Sequence, residues 1–207
     1  MNLHVVILAA GQGTRMYSAK PKVLHVLGGK PLLAHVIANA RQIEANGIHV
    51  VFGHGGAQVQ AAVNDIDLHW VEQSQQLGTG HALMQAMPTI GDDAMVMVLY
   101  GDVPLTRLDT LQRLMCLLEP NTVGLLTASL DSPHGYGRIV RDSATRVLRI
   151  VEEKDATSEE RALREVNTGI LVAPAHALKI WLARLTTRNT QGEYYLTDVI
   201  ALAVNDG

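Results

Sequence analysis

"LHVVILAAGQGTRM", Leu3–Met16, sets the reading of this chain. Its first half is a run of branched apolar residues, as in a strand buried on both faces. Its second half places two glycines and an arginine where that strand ends. Two readings are open: a tight turn with a solvated arginine, or a cradle for a polyphosphate. Gly11 and Gly13 let the backbone approach phosphate oxygens and adopt positive angles that turn several amides toward one anion. Arg15 adds a permanent planar charge able to bind two oxygens together. Two competing motifs fail. A dinucleotide fingerprint needs glycine where Met16 stands, and a P-loop needs a Gly-Lys-Ser/Thr that "GGKPLL" does not supply.

Working outward, "IHVVFG", "LHWVEQ" and "AMVMVLYG" repeat the buried-strand pattern. Between them "PLLAHVIANARQIEANG", "AQVQAAVND" and "TGHALMQAM" carry apolar residues at helical spacing. This alternation predicts an α/β fold: a Rossmann-like, mostly parallel mixed sheet with helices on both faces. Pro31 is placed to open the first long helix and Gly47 to close it. After the helical "LDTLQRLMCLLEP", the strands "TVGLLTASL", "YGRIVRD", "RVLRIVEE" and "TGILVAP" follow with little helix between them, so the sheet gains a mixed extension. "AHALKIWLARL" and "YYLTDVIALAVNDG" return to helical spacing, and no internal repeat or long linker interrupts a single domain over residues 1–207.

Composition narrows the partners. Seventeen Lys and Arg against twenty Asp and Glu give a formal charge of −3, so no global field draws the chain to nucleic acid or an anionic membrane. Any anion site is local. The single cysteine, Cys116, reads as a buried helix position and suits a reducing compartment. The amino terminus lacks the pattern of a signal peptide and no apolar run is long enough to span a bilayer, so a cytoplasmic location is expected.

In such a sheet, ligands sit at the carboxyl ends of the strands, where connections diverge. Leu8 to Arg15 follows the first strand, Gln73 to Thr79 the third, and Tyr100 to Pro104 the fourth. Lys22 lies on a segment stiffened by Pro21; it is either a solvated loop lysine or a phosphate ligand. Asp102 is either a turn residue before Val103-Pro104 or a hard oxygen donor for magnesium bound to phosphate. Together these loops describe a magnesium nucleotide site. His25, His35, His54 and His81 lack paired metal-ligand spacing, which argues against zinc. In "EYYLTD", Tyr194 and Tyr195 read as packing residues and Asp198 as a helix or loop contact.

"LAAGQGTRM", "KPKVLHVLGGKPLLAHV", "VFGHGG", "QLGTGHA", "LYGDVPL", "GYGRIV", "VEEKDAT", "VNTGI" and "QGEYYLTDVIA", in that order, span nearly the whole chain. Together they resemble the amino-terminal uridylyltransferase domain of the bacterial bifunctional N-acetylglucosamine-1-phosphate uridyltransferase/glucosamine-1-phosphate acetyltransferases. The resemblance implies that UTP and N-acetylglucosamine 1-phosphate give UDP-N-acetylglucosamine and pyrophosphate, a precursor step for bacterial cell envelopes. By similarity, Leu8, Ala9, Ala10, Gly11, Gly13, Gln73, Gly78 and Thr79 hold the nucleotide, while Tyr100 and Gly101 border its ribose and phosphates. Gln73 can offer a donor and an acceptor to uracil. Arg15 and Lys22 carry catalysis, Asp102 holds Mg2+, and Gly137, Glu152, Asn167 and Thr168 match sugar-binding positions. Without the resemblance, "HGYGR" reads as a hairpin turn, Glu152 as an exposed acid and Asn167 as a strand-entry residue.

Two departures qualify the match. Gln12 stands where the family often has lysine. The family domain also continues past the helix at Gly207, supplying an asparagine as a second magnesium ligand, a helical arm and a β-helical acetyltransferase. The expectation is a domain truncated at its carboxyl end, monomeric where the full-length enzyme is a trimer, and without acetyltransferase activity. Two other functions remain open: transfer to another sugar 1-phosphate, or nucleotide-sugar binding without catalysis.

Overall fold

A computed structural model describes every residue except positions 12, 14, 15, 17, 19, 54, 64, 120 and 121. In chain order it contains β1 (Leu3–Leu8), a 3-10 turn (Lys22–Leu24), the short strands β2 (Val26–Leu27) and β3 (Lys30–Pro31), α1 (Leu32–Gln42), β4 (Gly47–Phe52), α2 (Gly56–Val63) and β5 (Leu68–Glu72). These are followed by α3 (Thr79–Ala86), β6 (Met95–Tyr100), α4 (Leu108–Cys116), β7 (Gly124–Ser129), β8 (Arg138–Arg141) and β9 (Val147–Val151). The chain then forms α5 (Ser158–Arg161), β10 (Glu165–Pro174), α6 (Ala175–Ala183) and α7 (Asp198–Asp206).

The main sheet has the order β5-β4-β1-β6-β10-β8-β9, with β7 paired to β10. β1, β4, β5 and β6 run parallel, whereas β10 is antiparallel to β6, β7 and β8. Alternation along β1 divides the core: Val6 and Leu8 face one layer with α3, α6 and α7, while Val5 and Ile7 face the other with α1, α2 and α4. β1 thus lies between its successor β4 on one side and β6 on the other. That reversal opens a crevice above the carboxyl ends of β1 and β6.

Two local expectations are corrected. α1 stops at Gln42, and the left-handed residue beyond it is Glu44 (φ 56°), so Gly47 does not close the helix. Gly47 instead begins β4, where a Cβ would lie 2.7 Å from His4 Nδ1 on the neighbouring strand. Cys116 is exposed at the end of α4, because the buried stripe of that helix runs through Leu111 and Leu114 and leaves Cys116 off it. Among the described residues no helix is long and apolar enough to cross a membrane.

Candidate active site

A cleft of about 560 Å³ occupies the crevice above β1 and β6. Of the sequence-predicted nucleotide residues, Leu8, Ala9, Ala10, Gly11, Gly13, Gln73, Gly78, Thr79 and Tyr100 line it, together with Lys22 and Asp102. Gly101 lies beneath the wall rather than on it. Its amide donates to Leu8 O at 3.0 Å, and a Cβ there would press at 3.2 Å on both Ala9 and Val23. Arg15 lies outside the described residues.

Local packing explains these placements. Val23 and Leu24 are buried, which fixes the turn that carries Lys22. The two predicted glycines act differently. Gly13 adopts φ +61°, and its missing side chain lets the Lys22 stem lie across it, since a Cβ would come 2.8 Å from Lys22 Cβ. Gly11 has no positive φ, and among the described residues nothing lies within 4 Å of where its Cβ would stand. Lys22 Nζ reaches Asp102 Oδ2 at 2.5 Å, joining across the cleft two residues whose roles the sequence treats separately.

At the other end of the cleft, Gly78 (φ +107°) turns the chain into α3, and a Cβ there would meet Tyr194 O at 2.6 Å. Gln73 is only 3% exposed. Its Nε2 donates to Gly78 O at 3.1 Å and lies 3.0 Å from His81 Nδ1. With His81 in the tautomer that accepts, both amide hydrogens face protein, and Oε1 is the atom available to a ligand. In that tautomer Gln73 presents an acceptor; in the other, favoured by the Gln85 amide nitrogen 3.3 Å from His81 Nε2, the amide turns over and presents its donor.

The remaining predicted residues gather where β8, β9 and β10 meet. The Asn167 amide donates to Gly137 O at 2.9 Å, and Asn167 Oδ1 accepts from Gly169 N at 2.9 Å. A Cβ on Gly137 would stand 3.5 Å from both Glu152 carboxylate oxygens. Glu152 is not an exposed acid. Burial pushes its carboxyl above the usual range, the Thr197 hydroxyl opposes this, and Asp198, Asp155 and Glu193 reinforce it. Thr168 is turned away, its hydroxyl donating to Leu126 O at 2.7 Å at the irregularity between β7 and β10. Tyr100 links the two groups: Gly169 (φ +86°) packs against its ring, and burial, reinforced by Glu152 and Asp102, raises the phenol well above its ordinary value.

Several lining residues escaped the sequence reading. Gln76 and Glu193 also face the cleft. Thr197 Oγ1 donates to Glu152 Oε1 at 2.9 Å, although "LTDV" reads only as the start of a helix. For a metal, Asp102 offers a hard oxygen on the wall of the cleft. Among the described residues no group of three or more His, Cys, Asp and Glu forms a cage. One carboxylate fits a divalent metal that takes its other ligands from water or a bound ligand.

The family model described as the MobA-like NTP transferase domain matches residues 5–178. This chain belongs to that family. The transferase domain is also similar to curated proteins named bifunctional protein GlmU. That of Marinobacter nauticus is 57% identical over 205 residues, covering 99% of this chain and 45% of the relative. That of Pseudomonas savastanoi pv. phaseolicola is 58% identical over 207 residues, covering 100% of this chain and 45% of the relative. The chain thus spans about half the length of these relatives. In fold, the transferase domain superposes with a TM-score of 0.80 and 16% identity on a UDP-glucose pyrophosphorylase complexed with UDP-glucose, covering 100% of this chain and 88% of the other.

Proposed function

We propose that this domain transfers a uridylyl group from UTP to N-acetylglucosamine 1-phosphate, giving UDP-N-acetylglucosamine and pyrophosphate for cell-envelope synthesis. One observation carries the reading: a single crevice holds the Gln73 amide beside the turn into α3, a Lys22–Asp102 pair above β1 and β6, and Tyr100 leading toward Glu152, Gly137 and Asn167. The identity to proteins named bifunctional protein GlmU supports the choice of base and sugar.

The oxygen of the sugar phosphate attacks the α-phosphorus of UTP in line, and the bond to pyrophosphate breaks. The domain's contribution is positioning and charge neutralisation, with no covalent intermediate. Lys22, released from Asp102, neutralises the reacting phosphates, and Arg15 stabilises charge on the departing pyrophosphate. Asp102 would hold magnesium, which would supply Lewis-acid neutralisation of phosphate charge. Gln73 Oε1 accepts the imide N–H of uracil; cytosine presents a lone pair there instead. Glu152, Asn167 and the Gly137 backbone satisfy sugar hydroxyls and the acetamido group.

The test is pyrophosphate release over a matrix of UTP, dTTP and CTP against N-acetylglucosamine, glucose and galactosamine 1-phosphates. The reading predicts turnover concentrated in the UTP and N-acetylglucosamine 1-phosphate cell. Equal turnover across the matrix, or a maximum elsewhere, overturns it.

A further inference from the structure

We propose that Thr197 is a positioning residue for the sugar-binding carboxylate, fixing the orientation and charge of Glu152 through its hydroxyl. The inference rests on the reading of Glu152 as a sugar ligand. Thr197 precedes α7 with helical backbone angles (φ −60°, ψ −25°), so its side chain is not placed to cap the first turn. It makes no capping bond. Its hydroxyl donates to Glu152 Oε1 at 2.9 Å. The first-turn amides are met by backbone instead, Asp198 N donating to Tyr195 O, Val199 N to Leu196 O and Ile200 N to Thr197 O, which leaves the hydroxyl to Glu152.

Glu152 needs that donor. Among the described residues, the charged groups that act on it most are carboxylates from neighbouring segments: Asp155 after β9, Glu193 before α7 and Asp198 at its start. Its charge is also felt by the phenols of Tyr100 and Tyr195. Among the described residues no Lys or Arg pairs with Glu152 within salt-bridge distance. In such a setting a carboxyl tends to keep its proton, and a protonated Glu152 loses acceptor capacity for sugar hydroxyls. The Thr197 hydroxyl favours the anion and holds one oxygen in place.

The backbone leading to Thr197 is fixed by contacts its side chain does not make. Tyr194 N donates to Leu77 O at 2.8 Å, Gly80 N to Tyr194 O at 2.8 Å, and Leu196 N to Thr79 Oγ1 at 3.1 Å. The segment is thereby clamped to the start of α3, at the nucleotide end of the cleft. Removing only the hydroxyl, as in Thr197→Val, leaves this clamp in place.

Thr197→Val should raise KM for N-acetylglucosamine 1-phosphate about tenfold, with KM for UTP and kcat changed less than about twofold, the loss expected when a buried charged acceptor is left without its donor. The acid limb of kcat/KM for the sugar phosphate should move to higher pH, and Thr197→Ser should restore both. An unchanged pH profile, an equal loss toward UTP, or failure of serine to rescue would overturn the proposal. A substrate-free arm separates this outcome from failure of the functional reading. Carbon-detected NMR of the labelled Glu152 carboxyl should titrate at higher pH in Thr197→Val than in the wild type. Identical titration curves would refute the role of Thr197 whatever the substrate proves to be.

Discussion

Acidification should destabilise this domain through His49. The side chain is 1% exposed, in β4, with Nε2 3.0 Å from His4 Nδ1, the Thr89 hydroxyl 3.4 Å from Nδ1, and its ring stacked on His69 at 4.8 Å. Burial first, then the neighbouring His69 and His4, lower its pKa from 6.5 to about 4. The neutral ring is favoured in the folded state, so between about pH 6.5 and pH 4 the unfolded chain binds the proton and the folded chain does not. Stability is therefore full above the unfolded pKa and falls as pH drops through this window. At pH 5 the loss from His49 alone is about 2 kcal/mol relative to pH 7.5. His4, also lowered by burial and by His69 and opposed by Asp93, acts in the same direction. The assay is urea unfolding at pH 7.5 and 5.0 on the wild type and on His49→Gln, which can still hydrogen bond but does not titrate. Carboxylates common to both proteins largely cancel in the comparison. His49→Gln should lose about 2 kcal/mol less on acidification; parallel losses in the two proteins would refute the reasoning.

Gly169→Ala should destabilise the fold by about 2–4 kcal/mol and lower Tm by roughly 5–15 °C, because φ is +86° and a Cβ would meet Tyr100 Cε2 at 2.4 Å. Gly192→Ala, with φ +66° but open space around it, should cost only about 1 kcal/mol, and equal melting of the two variants would contradict the steric argument. Lys22→Met should slow turnover by at least ~100-fold, about 2.7 kcal/mol at the barrier, while changing folding stability by less than about 1 kcal/mol, since its pair with Asp102 is partly exposed. Steady-state kinetics beside thermal melting checks that split. Gln73→Ala should narrow the preference for UTP over CTP, measured as a ratio of kcat/KM; an unchanged ratio would remove Gln73 from base selection.

The parallel strands were legible because burial on both faces demands unbroken apolar runs, and the loops after β1, β5 and β6 follow directly from that order. Lys22 and Asp102 were legible as residue types at strand ends, yet their contact was not, since it depends on how the turn at Lys22–Leu24 folds back over Gly13. Proline marked the start of α1, but glycine misled at its end, because Gly47 serves close strand packing against His4 while Glu44 takes the left-handed position. The two-residue strands β2 and β3 are too short to show a period. α5 did carry a readable signal, the Thr157–Glu160 capping box in "TSEE", which went unread. His4, His49 and His69 become neighbours only through strand register. Thr197 escaped because a threonine before a helix has a sufficient local explanation, and its partner Glu152 is 45 residues away.

The central claim is tested most directly by incubating the protein and magnesium with UTP labelled at the α-phosphorus and N-acetylglucosamine 1-phosphate. The account predicts label in UDP-N-acetylglucosamine, matched mole for mole by unlabelled pyrophosphate, and no transfer when the sugar phosphate is omitted. Label remaining in UTP while the sugar phosphate is present, or passing equally to glucose 1-phosphate, would contradict it.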